Sequence, residues 1–276
     1  MLYLVATPIG NLEDITLRAL KVLKSVEILA CEDTRNTQKL LNHYEITGKK
    51  LISYHEHNEE KTSEKIISYL EEGREVALVT DAGMPCISDP GYILVEKIKK
   101  AGLPITTLPG ANAGLTALVA SGIESYNYTF YGFLPRKSKD LKLKLEEILK
   151  MNTTSILYES PYRVKNLVEE ISKIAPTRKI SVARELTKMF EQIETSSAEE
   201  ILEMLGNKIK EKGEFVVIIS PNRDEKSEDV NLDELVELIY QKVQNGERKS
   251  EAIKNIAKEY AINKKEVYSL YHEKYD

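Results

Sequence analysis

Four segments of the chain combine Gly and Pro with side chains that could bind a small molecule. Each directly follows a short apolar run, and they occupy residues 6–11, 81–91, 109–114 and 158–163. Gly lets the backbone approach a ligand closely, and backbone N–H groups can hold an anionic end. Turn formation alone would explain any one segment. Four segments in equivalent positions favour a ligand site built from several loops.

Common nucleotide and hydrolase motifs do not account for these segments. The sequence contains no Gly-x-Gly-x-x-Gly after the first apolar run, no Gly-x-x-x-x-Gly-Lys-Ser/Thr and no Gly-x-Ser-x-Gly. Dehydrogenases, P-loop enzymes and α/β hydrolases are therefore disfavoured. The two cysteines, Cys31 and Cys86, form no Cys-x-x-Cys pair. We accordingly expect neither a structural zinc site nor any other metal site.

Alternating strands and helices would position the four segments. In the first half, short buried strands are predicted at residues 2–6, 27–31, 51–54, 75–80 and 105–108. Alternation with amphipathic helices is typical of a mostly parallel sheet that binds ligands beyond the carboxyl ends of its strands. In the second half, strands are predicted at residues 126–132, 155–158, 179–183 and 215–219, with a helix at 198–212.

This pattern predicts an α/β fold with two α/β domains, residues 1–112 and 113–221, and a small C-terminal helical piece, 232–276. A polar linker at 221–231 precedes the helical piece. Within that piece, two short helices at 250–258 and 264–271 resemble a helix-turn-helix. A helical cap or a dimer contact explains such a pair equally well.

Composition sets outer limits on function. The 276 residues include 39 Lys+Arg and 44 Asp+Glu, for a formal net charge of -5, which disfavours a protein that coats nucleic acid through bulk charge. A local basic patch remains compatible with this balance. No signal peptide and no apolar stretch of about 20 residues is evident. We therefore expect a cytoplasmic protein with no membrane partner.

Nine segments carry a resemblance to a known superfamily. They are LYLVATPIGNLEDIT (2–16), ACEDTR (30–35), SYHEHNE (53–59), LVTDAGMPCISDPG (78–91), PGANA (109–113), GFLPRK (132–137), YESPYR (158–163), ARELTKMFE (183–191) and KGEFV (212–216). On these segments the sequence resembles the tetrapyrrole methylase superfamily, the class III S-adenosylmethionine-dependent methyltransferases. It is similar to the branch that methylates the ribose 2′-hydroxyl of a cytidine in small-subunit (16S) ribosomal RNA.

The resemblance implies that S-adenosylmethionine binds in the cleft between the two α/β domains. Carried over residue by residue, the expected contacts are Pro8, Ile9, Asp81, Gly83, Met84, Asn112, Ala113, Tyr158, Ala183, Glu214 and Phe215. A carboxylate such as that of Asp81 can accept hydrogen bonds from ribose hydroxyls or lie near the sulfonium. A turn or helix cap is the structural alternative for Asp81.

Methylation of a ribose hydroxyl requires a positioned oxygen, and because that hydroxyl is a weak acid, a base or a cation would help. The candidates are Glu32 and Asp33 in ACEDTR, and Arg184 and Glu185 in ARELTK. Arg184 is the expected electrostatic group, and the base is left open. Ordinary ion pairs or solvated charges explain all four equally well.

RNA contacts are expected on a basic patch. Residues 136–144 contain five Lys or Arg and follow a Tyr-rich segment, 126–133. Phosphates would bind the cations while unpaired bases stack on Tyr, although a solvated helix face is the alternative. The expected RNA-binding residues are Arg35, Arg136, Lys137 and Arg163. The implied partners are small-subunit ribosomal RNA or the assembled 30S subunit, and a second copy of the chain in a homodimer.

Two other functions stay open. A methylase of porphyrin precursors would share the fold and the cofactor, although ACEDTR, YESPYR and GFLPRK favour the RNA branch. A nucleic-acid-binding regulator with an inactive cofactor cleft would account for the helix-turn-helix-like tail.

Overall fold

The computed structural model describes residues 1–223, 232–260 and 262–275. Contacts divide the chain into two compact units, Met1–Ser220 and Pro221–Asp276. Two five-stranded sheets lie in the first unit. The subdivision of that unit at residue 112 stays a prediction. Across the described ranges, no helix combines the length and apolar character needed to span a bilayer.

Strands and helices alternate strictly through the first sheet. In chain order the elements are β1 (Leu2–Val5), α1 (Leu17–Ser25), β2 (Ile28–Cys31), α2 (Thr34–His43), β3 (Lys50–Ser53), α3 (Glu59–Glu71), β4 (Val76–Val79), α4 (Tyr92–Lys100) and β5 (Ile105–Leu108). The strand order is β3-β2-β4-β1-β5, and every neighbouring pair is parallel. The predicted parallel α/β sheet is therefore confirmed.

The middle strands β1, β2 and β4 are apolar on both faces, with sequences LYLV, ILAC and VALV. Helices α3 and α4 pack on one face of the sheet, and α1 and α2 pack on the other, as a parallel sheet requires. The carboxyl ends of parallel strands share one edge. The loops that follow β1, β2, β4 and β5 consequently meet at that edge.

The second sheet is mixed. Its elements are α5 (Ala113–Ala120), β6 (Tyr128–Phe133), α6 (Ser138–Ile148), β7 (Thr154–Glu159), α7 (Val164–Ile174), β8 (Lys179–Arg184), β9 (Gln192–Ser197), α8 (Ala198–Met204) and β10 (Phe215–Ile219). The order is β6-β7-β10-β8-β9, in which only β6 and β7 are parallel. Helices α6, α7 and α8 cover one face, and α5 covers the other.

Three features of this half differ from the sequence prediction, and the first is helix α5, which was not predicted. The helix expected at 198–212 ends at Met204, because Gly206 adopts a left-handed φ of 84° and Leu205 bridges back to Ile209. Strand β9 was not predicted. It reads QIETSS and is half-buried along its whole length, so it shows no apolar run.

The second unit is a bundle of three helices, α9 (Leu232–Gln244), α10 (Lys249–Glu259) and α11 (Lys264–Tyr275). Their core includes Leu235, Ile239, Ile253, Ile256 and Val267. The predicted helical tail is thus present, with α10 and α11 at the positions of the expected pair. Most of the linker predicted at 221–231 lies outside the described residues.

Candidate functional site

A cavity of about 360 Å³ lies between loops of the first sheet and loops of the second. This volume is in the range of small-molecule sites. Eight of the eleven residues expected to contact a cofactor line it: Ile9, Gly83, Met84, Asn112, Ala113, Tyr158, Glu214 and Phe215. The four Gly- and Pro-rich segments supply most of the wall, so the topology brings together what the sequence had separated.

The other three expected residues lie elsewhere. Pro8 and Asp81 line a second cavity of about 210 Å³. Thr7 pairs with Gly83 through two backbone hydrogen bonds, of 2.9 and 3.0 Å, and successive residues of the two loops face different cavities. Ala183 is buried opposite Val216 in the second sheet.

The Asp81 carboxylate accepts hydrogen bonds from residues at the start of helix α2. It accepts hydrogen bonds from the Asp33 N–H at 3.2 Å and from the Asn36 amide at 2.8 Å. Asp33 is the N-cap of α2, and Asn36 lies in the first turn of that helix. The turn-or-cap alternative therefore describes Asp81 better than direct contact with a ligand in the larger cavity.

Two hydrogen bonds fix the loop that joins β5 to α5. The Asn112 side chain caps α5 by accepting the Leu115 N–H at 2.9 Å. The Gly114 N–H donates to the Tyr158 hydroxyl at 3.1 Å, which ties α5 to β7 of the second sheet. Asn112, Ala113 and Tyr158 are thereby held as one wall of the cavity.

The loop at 81–91 carries unusual backbone strain. Cys86 and Ser88 adopt left-handed φ values of 69° and 63°, although neither is glycine. Gly91 has a φ of 139°, and a Cβ there would lie 2.6 Å from the Cys86 sulfur. Strained backbone of this kind concentrates at functional sites.

Three acidic side chains line the cavity: Asp89, Glu159 and Glu214. Glu159 is only 3% exposed. One of its carboxylate oxygens accepts the Ser160 N–H at 2.7 Å, and the other lies 3.3 Å from the Arg163 guanidinium but accepts no hydrogen bond among the described residues. Glu214 pairs with the Lys188 ammonium at 2.8 Å.

Asp89 has a different environment. Burial, together with the nearby Glu32 and Asp81 carboxylates, raises the pKa of Asp89 to about 7. Burial and the Asp81 carboxylate also raise the pKa of Glu32. Three carboxylates thus gather where β2 and β4 end, and Asp89 is the one that reaches the larger cavity. Within the described chain, no group of three or more His, Cys, Asp or Glu could hold a metal ion.

Arg184 does not point into the cavity. It is 8% exposed, and its guanidinium donates to the Lys212 carbonyl at 2.5 Å and to the Phe190 carbonyl at 3.1 Å. An electrostatic role for Arg184 at the reacting atoms stays a prediction, and in this structure two of its N–H groups join the loops that carry Phe190 and Lys212.

Glu185 is likewise a structural residue. Its carboxylate accepts the Lys188 ammonium at 2.9 Å and the Glu214 N–H at 3.1 Å. Partial burial acts to raise its pKa, but these two hydrogen bonds outweigh that effect and lower the pKa overall. A carboxylate held ionised in this way is a poor proton acceptor, and it does not line the cavity.

In the ACEDTR segment, Asp33 accepts the Arg35 N–H at 2.8 Å and pairs with the Arg35 guanidinium at 2.7 Å. These bonds lower the pKa of Asp33 to about 2. Asp33 is therefore a helix cap and an ion-pair partner rather than a base. Glu32 keeps a raised pKa but does not line the cavity. The Arg35 side chain remains 84% exposed.

The basic residues expected to bind RNA fall into two groups. Arg136 and Lys137 are exposed, and they follow Phe133 of the cavity wall by three and four residues. Arg163 instead points inward, donating to the Leu134 and Pro135 carbonyls at 3.1 Å beside Glu159. RNA binding by Arg163 stays a prediction, and in this structure its guanidinium joins the segment after β6 to the end of β7.

Sequence reasoning missed several cavity residues. Asp89 and Glu159 both lie inside segments singled out above, but their Gly- and Pro-rich neighbours indicated turns. Further wall residues missed were Ala82, Ile87, Ser88, Phe133, Ser160, Pro161, Leu186, Gly213 and Val216. The sequence did offer a signal for them, because each lies within one of the nine segments that carry the family resemblance.

Comparison with known proteins identifies the family. Residues 1–202 match the family described as Tetrapyrrole (Corrin/Porphyrin) Methylases. The chain belongs to this family. It is 45% identical over 275 residues to Ribosomal RNA small subunit methyltransferase I of Halalkalibacterium halodurans, covering 99% of this chain and 94% of that protein. The protein of the same name from Bacillus subtilis is 44% identical over 276 residues, with the same two shares covered.

A solved methyltransferase structure agrees with the fold. The methyltransferase CobJ matches with a TM-score of 0.59 at 18% sequence identity, covering 83% of this chain and 96% of that chain. At this identity the match supports the two-sheet architecture alone.

The cavity suits the S-adenosylmethionine that this methylase family uses. Ile9, Leu186, Phe215 and Val216 provide apolar wall for a purine ring. One oxygen of the buried Glu159 carboxylate lies 3.3 Å from the Arg163 guanidinium but accepts no hydrogen bond among the described residues, and amino and hydroxyl groups of the cofactor are hydrogen-bond donors.

Proposed function

We propose that this chain is an S-adenosylmethionine-dependent methyltransferase that methylates the 2′-hydroxyl of a cytidine ribose in small-subunit (16S) ribosomal RNA. The observation that carries the proposal is the cavity between the two sheets, in a chain whose full-length relatives are named for the small ribosomal subunit. When bound, S-adenosylmethionine supplies an activated methyl group. The protein must position the ribose oxygen against it and exclude water.

In this proposal the cofactor occupies the larger cavity. Apolar contacts come from Ile9 and Phe215, and Glu159 accepts a hydrogen bond from the cofactor at the oxygen that accepts none within the described residues. Asn112 and Ala113 present the start of α5, where the helix dipole favours an anionic end such as a carboxylate. The remaining expected contacts, Gly83, Met84, Tyr158 and Glu214, complete the wall.

The RNA surface is proposed at the mouth of the cavity. Arg136, Lys137 and Lys139 are exposed and have no ion-pair partner among the described residues, whereas Lys142 pairs with Glu170 and Lys144 pairs with Glu147. Cations without a protein partner are available to phosphates. The exposed Arg35 guanidinium, at the edge of the first sheet, would also bind a phosphate.

The function is tested by mapping 2′-O-methyl groups on 16S RNA from cells with and without this protein. Loss of one cytidine methylation in the deletion strain, restored by the wild-type gene, is expected. Purified protein with labelled cofactor is then offered 30S subunits, naked 16S RNA and uroporphyrinogen side by side. Methyl transfer to uroporphyrinogen alone would favour a porphyrin methylase, and RNA binding without transfer would favour a regulator.

The RNA surface is tested by charge reversal. Arg136→Glu with Lys137→Glu should lower methylation of the ribosomal substrate at least tenfold, because two phosphate contacts become repulsions. Cofactor affinity, measured by calorimetry, should stay unchanged. The matched control is Lys61→Glu with Lys65→Glu on α3, which makes the same charge change at exposed positions. Equal activity in the two double variants would remove the basic patch from the proposal.

We further propose that the enzyme is cytoplasmic and homodimeric. Helix α5 exposes Leu115 and Val119, which lie four residues apart on one face, and Val119 is 81% exposed. An apolar face of this kind is a candidate contact for a second copy. Sedimentation should give twice the chain mass, and Val119→Glu should shift the protein to monomer.

A further inference from the structure

The cavity wall distinguishes its three acidic side chains by their partners. Glu159 lies beside the Arg163 guanidinium, and Glu214 pairs with the Lys188 ammonium. Asp89 has no ion pair and no hydrogen bond to any described residue, and the charged groups that act on it are the Glu32 and Asp81 carboxylates. A carboxylate that no cation neutralises, and that faces the space where a substrate binds, remains available to accept a proton.

We propose that Asp89 is the general base of the methyl transfer and takes the proton of the ribose 2′-hydroxyl. This inference rests on the proposed function above. As the ribose oxygen bonds to the methyl carbon, its O–H bond breaks and the proton passes to an Asp89 carboxylate oxygen. The carbon–sulfur bond of the donor breaks with both electrons left on sulfur. Asp89 then releases the proton to water at the cavity mouth.

The groups around Asp89 suit this role. The titratable side chains that interact with it are Glu32, Asp81, Cys86 and Tyr158. Burial raises the pKa of Cys86 to about 11 and also raises the pKa of Tyr158, so both remain uncharged near pH 7. Glu32 and Asp81 are carboxylates, and like charges make Asp89 a stronger proton acceptor. Its pKa of about 7 is matched to neutral conditions.

The backbone holds Asp89 in place. It lies between Ser88, with a left-handed φ of 63°, and Pro90, whose ring fixes its own φ. Gly132 of the second sheet packs so closely on this loop that a Cβ there would lie 2.9 Å from the Ser88 hydroxyl. The loop is thus fixed from both sheets, which is the rigidity that proton transfer at hydrogen-bond distance requires.

The first experiment measures Asp89→Asn, which keeps the shape and removes the base. We expect kcat on 30S subunits to fall roughly 100-fold or more. The dissociation constant for S-adenosylmethionine, measured by calorimetry, should stay within about threefold of wild type, which also shows that the variant is folded. Glu96→Gln, on the exposed face of α4, is the charge-matched control and should behave as wild type. A kcat within threefold of wild type, or a loss confined to cofactor affinity, would overturn the proposal.

The second experiment uses Glu32→Gln, which removes one neighbouring charge. In cofactor-free protein, carbon-13 NMR of the Asp89 carboxyl should show a titration near pH 7 in wild type and a lower midpoint in the variant. The acidic limb of the kcat/KM profile, which reports the pKa values of the free enzyme, should move down in the variant as well. A limb that does not follow the NMR midpoint contradicts the base assignment. Absence of methyl transfer by wild type to any small-subunit RNA contradicts the proposed function instead.

Discussion

Two charged loops border the cavity. One leaves a carboxylate without a cation, and the other pairs each of its charged side chains. The loop at 81–91, with Glu32 beside it, gathers three carboxylates and supplies no cation to Asp89. The loop at 185–191 joins each of its charges to a partner, so that Lys188 bridges Glu185 and Glu214. We call the second loop, with Arg184 and residues 212–214, the 185–191 clamp.

The clamp uses its charges to hold an improbable backbone. Glu185 and Thr187 adopt left-handed φ values of 52° and 65°, and a Cβ at position 213 would collide with the Glu185 carboxylate. Arg184 joins the two sides of the clamp through the Lys212 and Phe190 carbonyls. Its task is to place Gly213 and Glu214 in the cavity wall.

The difference shows how to distinguish charged side chains that hold the backbone in place from charged side chains that could take part in the reaction. Paired carboxylates in the clamp have lowered pKa values or carry a cation, which fits them for holding geometry. Clustered carboxylates near Asp89 raise one another's pKa values, which stores free energy in the folded state. Clustering without a counter-ion costs stability and is maintained where chemistry benefits from it.

The largest effect on stability is expected from Arg184→Ala. The substitution removes a guanidinium that is 8% exposed and leaves the Lys212 and Phe190 carbonyls without their charged donor, which should lower the free energy of unfolding by about 3 kcal/mol. Cofactor affinity should fall with stability, because residues 213 and 214 lose their support. Denaturant titration and calorimetry measure the two quantities. Arg184→Lys, which keeps one donor, should recover part of both.

If Arg184→Ala kept the stability of the wild type but had a reduced kcat, Arg184 would have a catalytic rather than a structural role. In that case Arg184 would act on the reacting charge, as the sequence suggested, and the clamp would be held by Lys188 alone. A matching loss of stability and affinity with kcat preserved keeps Arg184 as a positioning residue.

Sequence patterns predicted much of this arrangement but did not show which charged side chains are paired. Alternating apolar runs gave the parallel sheet, and Gly- and Pro-rich strand ends located most of the cavity wall. The roles of Arg163 and Arg184 were not visible, because both donate to backbone carbonyls, which every residue has. Asp89 was hidden among turn residues, since its lack of a cation depends on segments far apart in the chain.

Asp89→Asn should sharpen the comparison through stability as well as catalysis. The pKa of Asp89 is raised in the folded protein from 3.8 to about 7. The folded state therefore binds the proton more tightly than the unfolded state, and stability decreases as pH rises between about 4 and 7. The Asp89→Asn variant lacks the carboxyl and therefore does not show this decrease in stability. At pH 8 it should be more stable than wild type by about 2 kcal/mol, roughly half of what the full pKa difference would give because Asp89 is partly exposed to solvent, and at pH 4 the two should be nearly equal.

Calorimetric melting curves at several pH values check this prediction. A stability difference that is the same at pH 4 and pH 8 would show that Asp89 titrates as an ordinary exposed carboxylate. The contrast between the two loops would then rest on geometry alone.

The smallest effect is expected from Glu185→Gln in the clamp, and its pH dependence has the opposite sign. The hydrogen bonds from Lys188 and the Glu214 N–H lower the pKa of Glu185 below its usual 4.5, against the effect of partial burial. Its stabilising contribution is therefore present above about pH 4.5 and lost as the pH falls through the lowered value. Glu185→Gln should cost about 1 kcal/mol at pH 7 and progressively less as the pH falls below 4.5. If the variant instead gained stability at neutral pH, as Asp89→Asn should, both loops would store electrostatic strain, and pairing would no longer distinguish the clamp from the base.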